Sequence, residues 1–343
     1  MRVAVDARAL CSGRGVARWV HGVLTALADA HPDDEWAALV PGRAPVAHPP
    51  AGVELVRTAL PSRALHGAAA LAGRPRIAAA TEGADVVWLP APAPAAPGAP
   101  YVLSVHDRSW ERRPGDFTRY ERAWHAVARP RAQARHAAAV TAVSHAVADE
   151  LAAVWSVHAT VVSPGVAPAT PVTPRPGRYF LWVGALEPRK APSVMAAAFA
   201  AARARGLDAE LVVAGAGRQP IGGDGVRALG PAGDVALAAL YAGALAVVTP
   251  SLLEGFGLPA LEAAAHGTPA IVSDLPCFAE TLGDAALRVP PGDADALADA
   301  LLAVAGDPPL RGRLGAAARA RAAAYTWNGA AAALYPLLAG AAR

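Results

Sequence analysis

The stretch LAVVTPSLLEGFGLPALEAAAHGTPAIVSD, residues 245–274, decides how this chain folds. It opens on a short apolar run, LAVVTP, and closes on a second, PAIVSD. Continuous apolar runs without alternation read as strands buried on both faces. Between them lies PALEAAAHG, which reads as a helix. Pro259 suits its first turn, where a missing N–H costs nothing, and Gly267 is its stop. Strand, loop, helix and strand in that order predict a parallel sheet covered by helices.

Two acids flank the glycine turn inside this unit. Glu254 sits in the loop, and Glu262 lies in or just past the first helical turn. Between them are the free N–H groups of a helix N-terminus, which suit an anion. Gly257 would let a ligand approach the backbone closely. A plain glycine turn, with acids that favour the helix dipole, accounts for the spacing equally well. Spacing alone leaves both open.

Outward from this unit the pattern repeats. RVAVDA, DVVWLP, YVLSVH, AAVTAVS and TVVSP read as strands in the first half, and YFLWVGA, ELVVAGAG and LRVPP in the second. Alanine-rich helical stretches separate them. A chain of 343 residues exceeds one typical core. We expect a first domain over 1–168, a proline-rich hinge over 169–177, a second domain over 178–325, and a terminal helix over 326–343 that could cross back to the first domain. Two doubly wound domains predict a cleft between them, with ligands at the carboxyl ends of the strands.

Composition bounds the class. The 54% hydrophobic content comes largely from alanine, and the most apolar run is broken by Pro250. MRVAVDARAL lacks the apolar centre of a signal peptide, so the expected location is cytoplasmic. Cys11 and Cys277 form no framework or metal pattern. A formal charge of +3 is too small to imply nucleic acid. The arginines are uneven, however: residues 108–135 hold eight against three acids, interleaved with Trp110, Phe117, Tyr120 and Trp124. That pattern fits peripheral contact with an anionic membrane face, and equally a solvated helix with its aromatics in the core.

The loops after strands carry the remaining signals. Gly13-x-Gly15 precedes a helix and could cradle a phosphate or be simple turn chemistry. His106 and Asp107 end a strand, where a histidine faces a cleft or hydrogen-bonds internally. Arg189 and Lys190 open a helix, and adjacent cations there oppose the dipole, a conflict that a bound polyanion would resolve. Gly215 and Gly217 leave room at another strand end. Asp293-Ala294-Asp295, the only Asp-x-Asp, reads as a helix cap rather than a metal site.

Together, VGALEPRK, LYAGALAVVTPSLLEGFGLPALEAAAHGTPAIVSD and ALRVPPGDADALADAL resemble the donor half of the retaining glycosyltransferases of family four. SGRGVARWVHGVLTAL, VLSVHD, TAVSHAVADEL and VVSPGV resemble its acceptor half. The resemblance implies the GT-B fold, two Rossmann-like domains facing across a cleft. It implies a nucleotide-diphosphate sugar donor, GDP-mannose favoured, and a glycan or lipid-linked acceptor; the Arg189-Lys190 pair with a helix N-terminus would stabilise the leaving diphosphate unaided, so no cofactor or metal is expected. Residue roles follow from the same resemblance. Arg189 and Lys190, beside Gly184 and Gly215, would hold the diphosphate. Glu262 would bind the ribose. Glu254, with the backbone of Gly255, Phe256, Gly257 and Leu258, would contact the sugar and distal phosphate. His106 would face the reacting carbon, and Gly15 would let the acceptor domain close. Family members often carry Arg after the glycine of VG, where this chain has Ala185; unless Arg189 takes over that contact, phosphate binding is weaker than the family norm. Three other classes compete, and the first, a non-catalytic two-domain sugar-binding protein, would need an export signal that MRVAVDARAL does not resemble. A nucleotide-sugar epimerase or hydrolase would share the fold. A dinucleotide oxidoreductase would need the third glycine that Arg18 replaces and an acid ending the next strand.

Overall fold

The structure is a computed structural model and describes residues 1–11, 15–42, 44–46 and 48–343. It divides into two compact units, Met1–Gly165 with Thr326–Arg343, and Val166–Tyr325. The first unit holds β1 (Arg2–Asp6), β2 (Glu35–Val40), β3 (Glu54–Arg57), β4 (Val86–Leu89), β5 (Tyr101–Val105), β6 (Ala139–Ala142) and β7 (Thr160–Val161). They form one parallel sheet in the order β3-β2-β1-β4-β5-β6-β7. The second unit holds β8 (Tyr179–Val183), β9 (Glu210–Ala214), β10 (Val226–Gly230), β11 (Ala246–Thr249), β12 (Ala270–Ser273) and β13 (Ala286–Val289). Its sheet, also parallel, runs β10-β9-β8-β11-β12-β13.

Both orders start in the middle, grow to one edge and return to the other. Strand order reverses between β1 and β4 in one sheet and between β8 and β11 in the other. Such switch points open crevices at the carboxyl ends of the strands. The central strands are buried throughout, as in VVWL of β4 and AVVT of β11. The edge strands β3 and β10 carry exposed residues such as Glu54 and Arg227, so they lack the continuous apolar run and escape a reading by hydrophobicity.

The helix Trp327–Ala341 belongs to the first unit. It packs on the helix Gly15–Ala30, and Leu334 and Leu338 are fully buried there. Gly22 is needed at that crossing, because a Cβ would stand 2.4 Å from the Trp327 ring. Asp34 ties the far end, accepting from the Met1 amino group at 2.7 Å and from the Tyr335 hydroxyl at 2.8 Å. Residues 169–177 carry no regular structure but lie within the second unit. Arg175 is anchored there, its N–H donating to the Ala239 carbonyl at 3.0 Å and its guanidinium 4.5 Å from the Tyr179 ring centre.

Candidate functional site

The carboxyl ends of β8 and β11 flank the switch point of the second sheet, and the loops that leave them are joined. The amide of Leu252 donates to the Arg189 carbonyl at 2.8 Å. The Lys190 ammonium donates to the Glu254 carboxylate, and Arg189 Nη1 stands 3.7 Å from the same oxygen. Both partners of the inner pair are largely buried, 15% and 11% exposed. Lys190 and Glu254 are 64 residues apart in sequence and meet only because β8 and β11 are neighbours.

The local geometry corrects one expectation. Arg189 and Lys190 do not open the helix; they occupy a 3-10 turn, Pro188–Lys190, and the helix begins at Pro192. Ala191 joins the two with φ +56°, a left-handed conformation that a residue with a Cβ adopts at a cost of about 1–2 kcal/mol. The conflict with the helix dipole is therefore absent from the first helical turn. The cations are held beside the strand ends instead, where Glu254 balances them.

After Glu254 the chain turns through Gly255 and Gly257 into the helix Leu258–Ala265, with Pro259 in its first turn. Gly257 is the N-cap at φ +90° and offers no side-chain acceptor. The amides of Ala260 and Leu261 donate to the Gly257 carbonyl, whereas those of Gly257 and Leu258 have no partner among the described residues. Two N–H groups at a positive helix end thus stand next to the Lys190–Glu254 pair. Such an arrangement suits an anion.

The glycines have reasons of their own, and here two further expectations are corrected. A Cβ on Gly257 would lie 2.2 Å from the buried Phe278 ring, so the space beside its Cα is filled by protein and not reserved for a ligand. A Cβ on Gly215 would lie 1.9 Å from the Gly184 carbonyl oxygen, and one on Gly217 would lie 2.4 Å from that of Leu186. These glycines let the chain after β9 cross the chain after β8. Gly184, with φ +135°, has nothing within 4 Å of its Cβ direction and is the glycine that leaves open space. Phe256 turns its ring edge-on to Tyr325 at 5.6 Å and is buried, so only its backbone can face a ligand.

Glu262 is half-buried one turn further along the helix. The Tyr241 hydroxyl donates to its carboxylate at 2.7 Å, and Thr268 in turn donates to the Tyr241 carbonyl at 2.6 Å. The His266 ring stacks on Tyr241 with centroids 5.8 Å apart. Tyr241 escapes sequence reading because it looks like an ordinary core residue of the helix Asp234–Gly243. Nothing local marks its hydroxyl as aimed at residue 262.

In the first unit His106 follows β5. Its Nε2 donates to the Pro90 carbonyl at 2.7 Å, and its ring meets Trp19 edge-on at 5.9 Å. Burial pushes its pKa below the ordinary histidine range, so the ring is neutral and Nδ1 is an acceptor. Nε2 is therefore spent on an internal bond, and only Nδ1 is left to face a substrate. A network not expected from sequence lies at the β1 end. The buried Asp6 carboxylate pairs with Arg8, which also donates to His66 Nδ1 at 2.6 Å and to the Pro94 carbonyl at 3.0 Å. Gly15 begins the helix Gly15–Ala30 with open space around it. Its partner Gly13 lies outside the described residues. Asp293 caps the helix Ala294–Gly306, accepting from the Ala296 amide at 2.9 Å.

Comparison with known proteins adds the following. Residues 177–307 match the family described as "Glycosyl transferases group 1", and residues 13–170 match "Glycosyltransferase Family 4". The chain is similar to a phosphatidyl-myo-inositol mannosyltransferase of Mycolicibacterium smegmatis, 37% identical over 166 residues, which are 45% of this chain and 43% of that one. It is similar to the O-antigen chain mannosyltransferase B of Escherichia coli, 39% identical over 103 residues, 30% of this chain and 27% of that one. The matched part thus spans less than half the length of these relatives. Among solved structures, sucrose-phosphate synthase from Thermosynechococcus elongatus superposes with a TM-score of 0.77 at 20% identity, covering 98% of this chain and 97% of that one. Anabaena HepE in complex with UDP and glucose gives 0.70 at 17% identity, covering 98% and 99%. At these identities the superpositions show the fold alone.

Proposed function

Because the chain belongs to glycosyltransferase family four, we propose that it moves a hexose from a nucleotide-diphosphate sugar to a hydroxyl of a glycan or glycolipid acceptor. The observation that carries this reading is the convergence of Arg189, Lys190, Glu254 and the open helix end at Leu258 on one switch point. Breaking a sugar–phosphate bond leaves negative charge on the departing diphosphate. Two cations and two unpartnered amides, fixed in advance, stabilise that charge more than they stabilise the ground state. The donor diphosphate would replace Glu254 as the partner of Lys190, and the freed carboxylate would turn to the sugar hydroxyls. Glu262, held by Tyr241, suits the ribose. In this reading the cations and amides carry the charge without a metal, so chelation with EDTA leaves turnover unchanged.

Mannose is the favoured sugar because curated relatives such as the two above are mannosyltransferases, and GDP is its proposed carrier. The anomeric configuration is retained in this proposal, as in the family that the motifs resemble. Peripheral contact with an anionic membrane is proposed for residues 108–135, where Tyr120 and Val127 are exposed beside arginines. No helix of the described residues is long and apolar enough to cross a membrane.

The test is a transfer assay with GDP-mannose, UDP-glucose and a panel of glycan and lipid-extract acceptors. Nuclear magnetic resonance of the product reads the anomeric configuration. Acceptor-dependent release of GDP with an α-configured product supports the proposal. Turnover that needs no acceptor indicates an epimerase or hydrolase, and failure to bind any nucleotide overturns the donor assignment.

A further inference from the structure

Seven of the eight arginines in segment 108–135 are sorted by the structure into two sets. Arg108 pairs with Glu111, Arg112 with Glu150, and Arg113 with Asp116. Arg122, Arg129, Arg131 and Arg135 form no ion pair with any described residue. These four line one cavity of about 740 Å³ in the first unit, together with Trp110 and His125. Its one acidic lining residue, Glu111, is already occupied: it accepts from Arg108 at 2.6 and 2.8 Å and from the Trp155 indole at 3.0 Å.

The backbone places the four cations deliberately. A capping box between Thr118 and Glu121 starts the helix Arg119–Ala128. Arg129 adopts φ +50° and turns the chain at once into the helix Pro130–His136. The bend brings Arg122 on the first helix into one concavity with Arg131 and Arg135 on the second. The floor is aromatic: Trp110 stacks on His125 with centroids 4.6 Å apart and planes 13° from parallel. His125 Nδ1 is buried and has no hydrogen-bond partner. An unpaired cation cluster repels itself, and a buried ring nitrogen without a partner is costly. A ligand with phosphoryl oxygens relieves the first, since guanidinium groups read such oxygens in bidentate fashion. The volume fits a phosphorylated sugar or polyol rather than a bare ion. The cavity follows β5, one strand from the β1/β4 switch point, where a ligand of this sheet is expected.

We propose that this cavity is an acceptor-side anion site that takes a phosphate-ester group, separate from the donor site of the second unit. It rests on the glycosyltransferase reading only in the word acceptor. The phosphoryl group can come from a soluble sugar phosphate or from a lipid headgroup, and two arms distinguish them. Calorimetry with inorganic phosphate compares the wild type, Lys190→Ala, and Arg122→Ala/Arg131→Ala/Arg135→Ala. Co-sedimentation with vesicles of phosphatidylcholine, with and without phosphatidylglycerol, compares the same three proteins. The three arginines are exposed and unpaired, so the triple variant should fold, and its arginine-to-lysine counterpart should regain part of the binding. Phosphate binding that survives Lys190→Ala and weakens about tenfold or more in the triple alanine variant supports a soluble source. Capture by anionic vesicles alone, lost in the same variant, supports a lipid source. Triple alanine and wild-type proteins that agree in both arms overturn the site. So does loss of binding in Lys190→Ala alone. Nucleotide binding, measured separately, reports on the donor reading, so either assignment can fail without the other.

Discussion

At the residue scale, Lys190 and Glu254 are one unit. Lys190→Ala removes a cation from the anion site and leaves a carboxylate 11% exposed without its main partner. Turnover should fall roughly 10²–10³-fold, about 2–4 kcal/mol of transition-state stabilisation. Thermal stability should fall as well, because an isolated buried charge is costly. The double variant Lys190→Ala/Glu254→Gln separates the two effects: melting recovers while turnover does not. If the double variant also regains turnover, the pair is structural only. The two glutamates should behave differently. Glu262→Gln should mainly raise KM, since a ribose contact is equal in ground and transition states, whereas Glu254→Gln should mainly lower kcat. Steady-state kinetics with matching profiles would refute that division. The donor roles of Arg189, Lys190 and Glu254 came from loop position and family resemblance, and sequence could not supply their mutual contact. Nothing in the order of residues 190 and 254 states that β8 and β11 are neighbours; the sheet topology does.

At the element scale, the reading from apolar runs found the central strands and the edge strands β7 and β13, and missed the edge strands β3 and β10. LAVVTP and PAIVSD are buried on both faces and read cleanly. ELVR and VRALG face solvent in part and do not. The glycines were legible as turns but not in purpose. Gly257 was expected to admit a ligand, yet Phe278, 21 residues later in sequence, fills the space beside it. A ring that arrives from another helix leaves no local trace. Gly257→Ala should therefore destabilise the second unit by roughly 2–4 kcal/mol, from the strained φ of +90° and the clash together. Adding Phe278→Ala should not restore stability fully, because the backbone strain persists and a cavity is opened. Denaturant unfolding checks this. A Gly257→Ala protein as stable as wild type would contradict it.

At the scale of the whole molecule, the chain ends where it began: Trp327–Ala341 closes the core that β1 opened. Ending the chain at Tyr325 should therefore expose the first unit's core, with loss of cooperative melting and binding of a hydrophobic dye, while Val166–Tyr325 keeps its own core. Four histidines, His66, His106, His125 and His266, have pKa values lowered mainly by burial from an ordinary 6.5. Below about pH 6.5 the unfolded chain binds more protons than the folded one, so stability should fall as pH drops from about 7 to 5. A melting temperature flat over that range would contradict the burial of these rings. The central claim is that the β8/β11 switch point reads a nucleotide diphosphate through Lys190 and the helix end at Leu258. The most direct measurement is calorimetric binding of GDP, and of UDP and ADP in parallel, against the matching nucleosides, in wild type and Lys190→Ala. The account predicts that one diphosphate binds far more tightly than its nucleoside, and that Lys190→Ala removes about 10–10²-fold of that difference while nucleoside binding is unchanged. Equal losses for nucleoside and diphosphate, or no loss for either, would contradict it.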